Sequence, residues 1–138
     1  MKTTQADLAK HLDKLEWLHR HCFPSDPMPE WADGSWWITW EEGRPIAFIG
    51  VEQVKSWSKT LYISRVGVVK EHQGKGLQRF LMNKISKAAV GIFDRIISST
   101  YENPASANNF IRCGYLTYLP QVAWGAAGTI YWIKALQE

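Results

Sequence analysis

The residues best placed to do chemistry form one short stretch, Gln73-Gly74-Lys75-Gly76-Leu77-Gln78, which directly follows the apolar run Val66-Gly67-Val68-Val69. Downstream, Leu77, Phe80, Leu81, Ile85, Ala88 and Ile92 recur at helical spacing. The pattern predicts strand, glycine turn, helix. Main-chain N–H groups at a helix start lack partners, and together with the helix dipole they favour negative charge. Gly74 and Gly76 carry no Cβ, so an anion can approach the main chain closely, and Lys70, Lys75 and Arg79 add positive charge. The chemistry implied is phosphate or pyrophosphate binding. A Walker A loop, which needs Gly-Lys-Ser/Thr, is excluded because Gly74-Lys75 is followed by Gly76 and then Leu77. A dinucleotide fingerprint is excluded because position 79 is Arg, not Gly.

The elements that must carry this turn can be read along the chain. Leu8, Leu12, Leu15, Leu18 and Cys22 mark one face of a first helix, with Thr4 as its expected N-cap and Pro24 as its stop. A loop rich in Pro and Asp runs to Gly34, followed by a hairpin of Ser35 to Glu41 and Pro45 to Gln53 around Glu42-Gly43. Thr60 to Val69 is the next strand. Its apolar phase switches from Leu61 and Ile63 to Val66 and Val68, which predicts a β-bulge near Ser64-Arg65. Gly91 ends the central helix, Phe93 to Tyr101 is a strand, and Asn103 to Cys113 is a helix stopped by Gly114. Tyr115 to Val122 and Thr129 to Leu136 read as the last two strands. The fold class is α/β, a layered, mostly antiparallel mixed sheet of about six strands flanked by helices.

Composition bounds the rest. At 138 residues the chain is expected to be a single domain, 1–138, with 46% hydrophobic and 21% charged residues. A net charge of +3 suits an anionic ligand, and no Lys/Arg run argues for nucleic acid. Cys22 and Cys113 are far apart and show no metal-ligand spacing, so no metal is expected and free thiols in a reducing, cytoplasmic compartment are. There is no apolar signal core at the N-terminus, and no apolar run reaches the roughly 18 residues of a membrane span.

The glycine turn resembles the pyrophosphate loop of the GNAT family of acyl-CoA-dependent N-acetyltransferases. That loop reads Gln or Arg, two residues, Gly, one residue, then Gly or Ala; Gln78 stands at the last, usually small, position. A second stretch, Asn103-Pro104-Ala105-Ser106-Ala107-Asn108-Asn109-Phe110-Ile111-Arg112-Cys113-Gly114-Tyr115, is similar to the family's other signature, with Asn103, Ser106, Phe110, Gly114 and Tyr115 in register. The two segments are ordered as in the family. The resemblance covers Thr60 to Tyr115 and implies a GNAT-like fold whose first strand is short or absent here. It also implies a bulged strand whose main chain pairs with the pantetheine arm of acetyl-CoA.

What the resemblance implies for the site follows residue by residue. Val68, Lys70, Gln73, Gly74, Lys75, Gly76, Leu77, Gln78, Arg79, Asn103, Ser106, Asn109 and Phe110 are expected to bind the cofactor, and the Val68 N–H to polarise the thioester carbonyl. The family's helix aromatic is usually Tyr, a proton donor to the leaving thiolate. Phe110 cannot donate, and Tyr101 is the candidate substitute. The amine acceptor must lose a proton before attack, and Glu52 is preferred as base over His72, which belongs to the phosphate end. Trp31 and Arg65 are expected at the acceptor, Arg65 for an acidic group and Trp31 for a flat, apolar or cationic one. The implied activity is acyl transfer from acyl-CoA to a small-molecule or protein amine by a monomer or homodimer. A CoA-binding module without turnover, motivated by Phe110 and Gln78, and acyl transfer to a nucleic-acid base stay open as alternatives.

Overall fold

Short hydrogen-bonded caps and turns set the element boundaries in this computed structural model, which describes residues 1–137. In chain order the elements are β1 (Lys2–Gln5), α1 (Leu8–Cys22), β2 (Ser35–Glu41), β3 (Arg44–Gln53), β4 (Thr60–Val68), α2 (Leu77–Ala89), β5 (Arg95–Thr100), α3 (Pro104–Arg112), β6 (Leu116–Thr117) and β7 (Ile130–Ala135). Seven strands follow one another in the order β1-β2-β3-β4-β5-β7-β6. The β4–β5 pairing is parallel, while β1–β2, β2–β3, β5–β7 and β6–β7 are antiparallel. The fold is a mixed α/β sheet flanked by three helices, as the paired motifs imply. The seventh strand is β1, the short first strand.

The chain divides into two compact units. One comprises Met1–Glu52 and Ile63–Leu81, the other Gln53–Tyr62 and Met82–Glu138. In the first unit β1 is held by side chains as well as by its ladder: Thr3 Oγ1 and Thr39 Oγ1 are 2.8 Å apart, and Trp40 Nε1 donates to Thr4 Oγ1 at 3.0 Å. Thr4 is therefore a strand residue. The cap of α1 is Asp7, whose carboxylate accepts from the Ala9 N–H at 2.9 Å. A carboxylate at N-cap satisfies an orphan donor and suits the helix dipole better than a hydroxyl three residues earlier. The register of β2 against β3 shifts between Thr39 and Trp40, next to Pro45, which has no N–H to give the ladder.

Leu15, Leu18, Ile38, Phe48 and Ile49 form the fully buried centre of this unit. Trp36 stacks on Phe48 with ring centroids 6.1 Å apart and donates from Nε1 to the Trp31 carbonyl at 2.9 Å. The C-terminal end of α1 lies hard against β4. A Cβ on Gly67 would stand 2.8 Å from Cys22 Cβ and 2.9 Å from Phe48 Cε1. Burial in this contact pushes the Cys22 thiol up to about 11.

In the second unit Met82, Ile85, Ile96, Phe110, Tyr115 and Trp132 form the core. The parallel ladder of β4 with β5 spans Thr60↔Arg95, Leu61↔Ile96 and Tyr62↔Ile97. Trp132 Nε1 finds a buried acceptor in Thr100 Oγ1 at 2.9 Å. The expected strand from Tyr115 to Val122 is corrected: only Leu116 and Thr117 pair, opposite Ile133 and Trp132, and 118–129 is a loop. Pro120 cannot donate to a ladder, and the glycines at 125 and 128 favour turns. The chain thereby places β7 between β5 and β6.

Candidate active site

In the first unit the chain leaves β4 at Val68, makes one 3-10 turn at Lys70–His72 and enters α2 at Leu77. The intervening loop is tied down from both ends. The Val69 N–H donates to the Ile46 carbonyl at 3.0 Å, the His72 N–H to Val69 at 2.9 Å, and Gln73 Nε2 to the Val68 carbonyl at 3.0 Å. His72 Nε2 is hydrogen-bonded to Glu41 Oε2. That contact ties the loop to the end of β2.

Gly74 and Gly76 adopt φ of +79° and +82°, the left-handed region that side chains rarely enter. A Cβ at Gly74 would meet nothing within 4 Å, and one at Gly76 only the Arg79 Nη2 at 3.5 Å. The glycines are thus required by the turn and leave an open face above the main chain. The helical ladder begins with the Phe80 N–H on the Gly76 carbonyl at 2.9 Å, so the amides at the start of α2 precede the first i→i−4 bond. Leu77 is buried and anchors that start, while Lys70 and Lys75 are exposed beside it. An open, glycine-walled helix start with two flanking ammonium groups fits a pyrophosphate.

The expected acceptor residues of the first unit also converge. Arg65 Nε donates to His19 Nε2 at 3.3 Å, Arg65 Nη1 to the Ser64 carbonyl at 2.9 Å, and the guanidinium carbon lies 5.8 Å from the Phe23 ring centre. His19 meets the edge of Trp31 with ring centroids 5.9 Å apart. Trp31 and Arg65 are therefore joined through His19, a residue the sequence reading missed. The signal was its spacing: position 19 shares the face of Leu15 and Cys22, four residues before and three after. Burial lowers the His19 pKa below its usual value, Arg65 lowers it further, and Asp26 opposes both. The ring is thereby kept neutral, with Nε2 as acceptor. Glu52 is half-buried at the end of β3; its Cγ would lie 3.5 Å from a Cβ on Gly34, just after the turn that carries Trp31.

In the second unit Asn103 caps α3. Its Oδ1 accepts from the Ser106 N–H at 3.0 Å, and Pro104 fills the first helical position. Asn109 and Ser106 are half-buried on the same helix. Phe110, expected on the cofactor side, is packed into the core of this unit. Phe110 is 1% exposed, stacks on Trp132 at 5.7 Å and meets Tyr115 edge-on at 4.9 Å. Its apolar ring fills the core between Trp132 and Tyr115. Tyr101, which directly follows β5, is 51% exposed.

The fold that carries this glycine turn is that of acyl-CoA-dependent acyltransferases. The model of the acetyltransferase (GNAT) family matches residues 7–115, and the chain belongs to that family. No curated protein matches it in sequence. Solved structures similar to it include the IAA acetyltransferase from Bacillus cereus, 15% identical with a TM-score of 0.77, covering 98% of this chain and 99% of that one. The ribosomal-protein-S18-alanine N-acetyltransferase from Escherichia coli is 13% identical with a TM-score of 0.76, covering 99% and 96%. A Bacillus subtilis acetyltransferase in complex with CoA is 15% identical with a TM-score of 0.74, covering 98% of each chain. At these identities the likeness establishes the fold. Among the described residues no helix is long and apolar enough to cross a membrane.

Proposed function

We propose that the chain transfers an acetyl group from acetyl-CoA to an amine by direct attack, in the cytoplasm. The observation that carries this reading is the glycine pair at positive φ opening α2 beneath an open face. Bound there, acetyl-CoA supplies an activated thioester. The main chain of Gly74 to Leu77, with Gln73, Gln78, Arg79, Lys70 and Lys75, holds the pyrophosphate. Asn103, Ser106 and Asn109 on α3 are the second unit's candidate contacts to the cofactor. The Val68 N–H is the donor for the thioester oxygen.

An amine is protonated near neutral pH and must be deprotonated to attack. Glu52 takes that proton, directly or through water, and Tyr101 is the donor to the departing sulfur. A thiolate is a tolerable leaving group, since thiols ionise far below alcohols. Trp31 and Arg65 orient the acceptor, a small molecule or a protein amine.

The test is calorimetric titration of acetyl-CoA and free CoA into the wild type, Lys75→Glu and Gly76→Glu, followed by thiol release with a panel of amines. Binding that is lost in both variants supports the cradle. No binding of either nucleotide by the folded wild type would overturn the reading. Binding without turnover on any amine would favour a CoA-binding module instead.

A further inference from the structure

The second unit contains a half-open cavity of about 850 Å³, rimmed by the exposed Leu119 and Val122, that the acyl-transfer reading does not use. Trp57, Tyr62, Tyr118 and Trp124 supply aromatic walls, and Val54 and Ile97 add apolar surface. This is the size range of small-molecule sites, which are mostly apolar with a few placed polar groups. Besides the hydroxyl and N–H groups of its Tyr and Trp residues, the polar side chains of the lining are Ser56 and Gln121.

The walls are built by contacts that do not need a ligand. Trp124 packs edge-to-face on Tyr131 with ring centroids 4.5 Å apart and faces Tyr62 at 6.2 Å. The Gly125 N–H donates to the Tyr131 hydroxyl at 2.9 Å, which fixes the loop just after Trp124. On the opposite side the Arg95 guanidinium lies 4.5 Å over the Trp57 ring and is itself held by the Ser58 carbonyl at 3.0 Å and Thr60 Oγ1 at 2.8 Å. Tyr118 lies 6.5 Å from Trp57 and from Tyr131. Burial raises the Tyr118 pKa, and Tyr131 and Tyr62 raise it further.

The lining also selects by charge. No Lys, Arg, His, Asp or Glu lines the cavity, and the nearby Arg95 guanidinium is already paired with Asp94 at 3.9 Å and bound to the Ser58 carbonyl, so an ion entering it would lose water for little counter-charge. A cation would in addition find the face of Trp57 already covered by Arg95. We propose that this cavity is a binding site for a flat, uncharged aromatic small molecule, held between Trp57, Tyr62, Tyr118 and Trp124, with Ser56 and Gln121 as hydrogen-bonding partners at its polar edge. The site does not require the chain to transfer an acyl group, and its test uses no CoA.

The probes are 2-naphthol as the uncharged ligand, 2-naphthoate as the anion and 1-naphthylmethylammonium as the cation, titrated calorimetrically into the full chain. Trp57→Ala and Trp124→Ala are chosen because both rings are partly exposed, and each variant is checked for a native thermal transition. The expected result is saturable one-site binding of 2-naphthol, weakened tenfold or more in each folded variant, with both charged probes at least tenfold weaker. Absence of saturable 2-naphthol binding, binding unchanged in both variants, or tighter binding of either charged probe would overturn the proposal.

Discussion

Arg65 Nε donates to Nε2 of His19 across 3.3 Å, linking β4 to α1 over 46 positions of sequence. The bond requires a neutral imidazole. Burial and the adjacent guanidinium both lower the His19 pKa below 6.5 in the folded chain. Between the folded and unfolded pKa values the unfolded chain binds more protons, so stability must fall as pH drops below about 6.5. It is fully retained above that value. Urea unfolding midpoints between pH 5 and 8 should show this slope, and His19→Gln should flatten it. An unchanged slope in the variant would assign the effect to another group.

Gly76→Ala separates turn geometry from charge. Alanine at φ +82° is strained, at a cost of about 1 kcal/mol. Its methyl group also occupies the open face. Acetyl-CoA affinity is expected to fall about tenfold, for roughly 1.4 kcal/mol. Affinity equal to wild type would move the pyrophosphate elsewhere.

Phe110→Tyr would restore the family's usual residue. With 1% exposure and Trp132 stacked on the ring, the added hydroxyl enters the core. The expected outcome is a loss of about 1–3 kcal/mol and no gain in turnover. A rise in kcat at unchanged stability would show that the position reaches the reacting atoms after all.

Glu52→Gln removes the proposed base while keeping the shape. We expect acetyl-CoA binding to be unaffected and kcat to fall about a hundredfold, most at low pH where the amine is protonated. A kcat within a factor of two of wild type would exclude Glu52 as the base.

Gly67→Ala tests the α1–β4 contact. A methyl group would press on Cys22 Cβ at 2.8 Å and on the Phe48 ring at 2.9 Å, in well-packed surroundings. The expected cost is about 1–3 kcal/mol, read as a lower unfolding midpoint. Cys22→Ala in the same chain should recover part of it, since the crowding atom would then be relieved of its sulfur.

By itself the sequence determined what neighbours along the chain can enforce. The glycine turn was legible because positive φ and the onset of 3.6-residue periodicity are local properties. Asn103 and Pro104 announce the start of α3 in the same way, and Glu42-Gly43 the hairpin. The tertiary structure decided what depends on distant partners. Lys2–Gln5 has no apolar alternation and is a strand because β2 offers it a ladder, Thr39 and Trp40. Pairing to β7 is limited to Leu116 and Thr117, and the loop that follows lines the aromatic cavity. Phe110 reads as a site residue by motif, yet Trp132 and Tyr115 make it core. His19 looks like one more polar residue on α1 until burial and Arg65 deprive it of its proton. Burial, pKa and cavity shape arise from contacts many residues apart, and local spacing carries no information about which distant side chain will fill them.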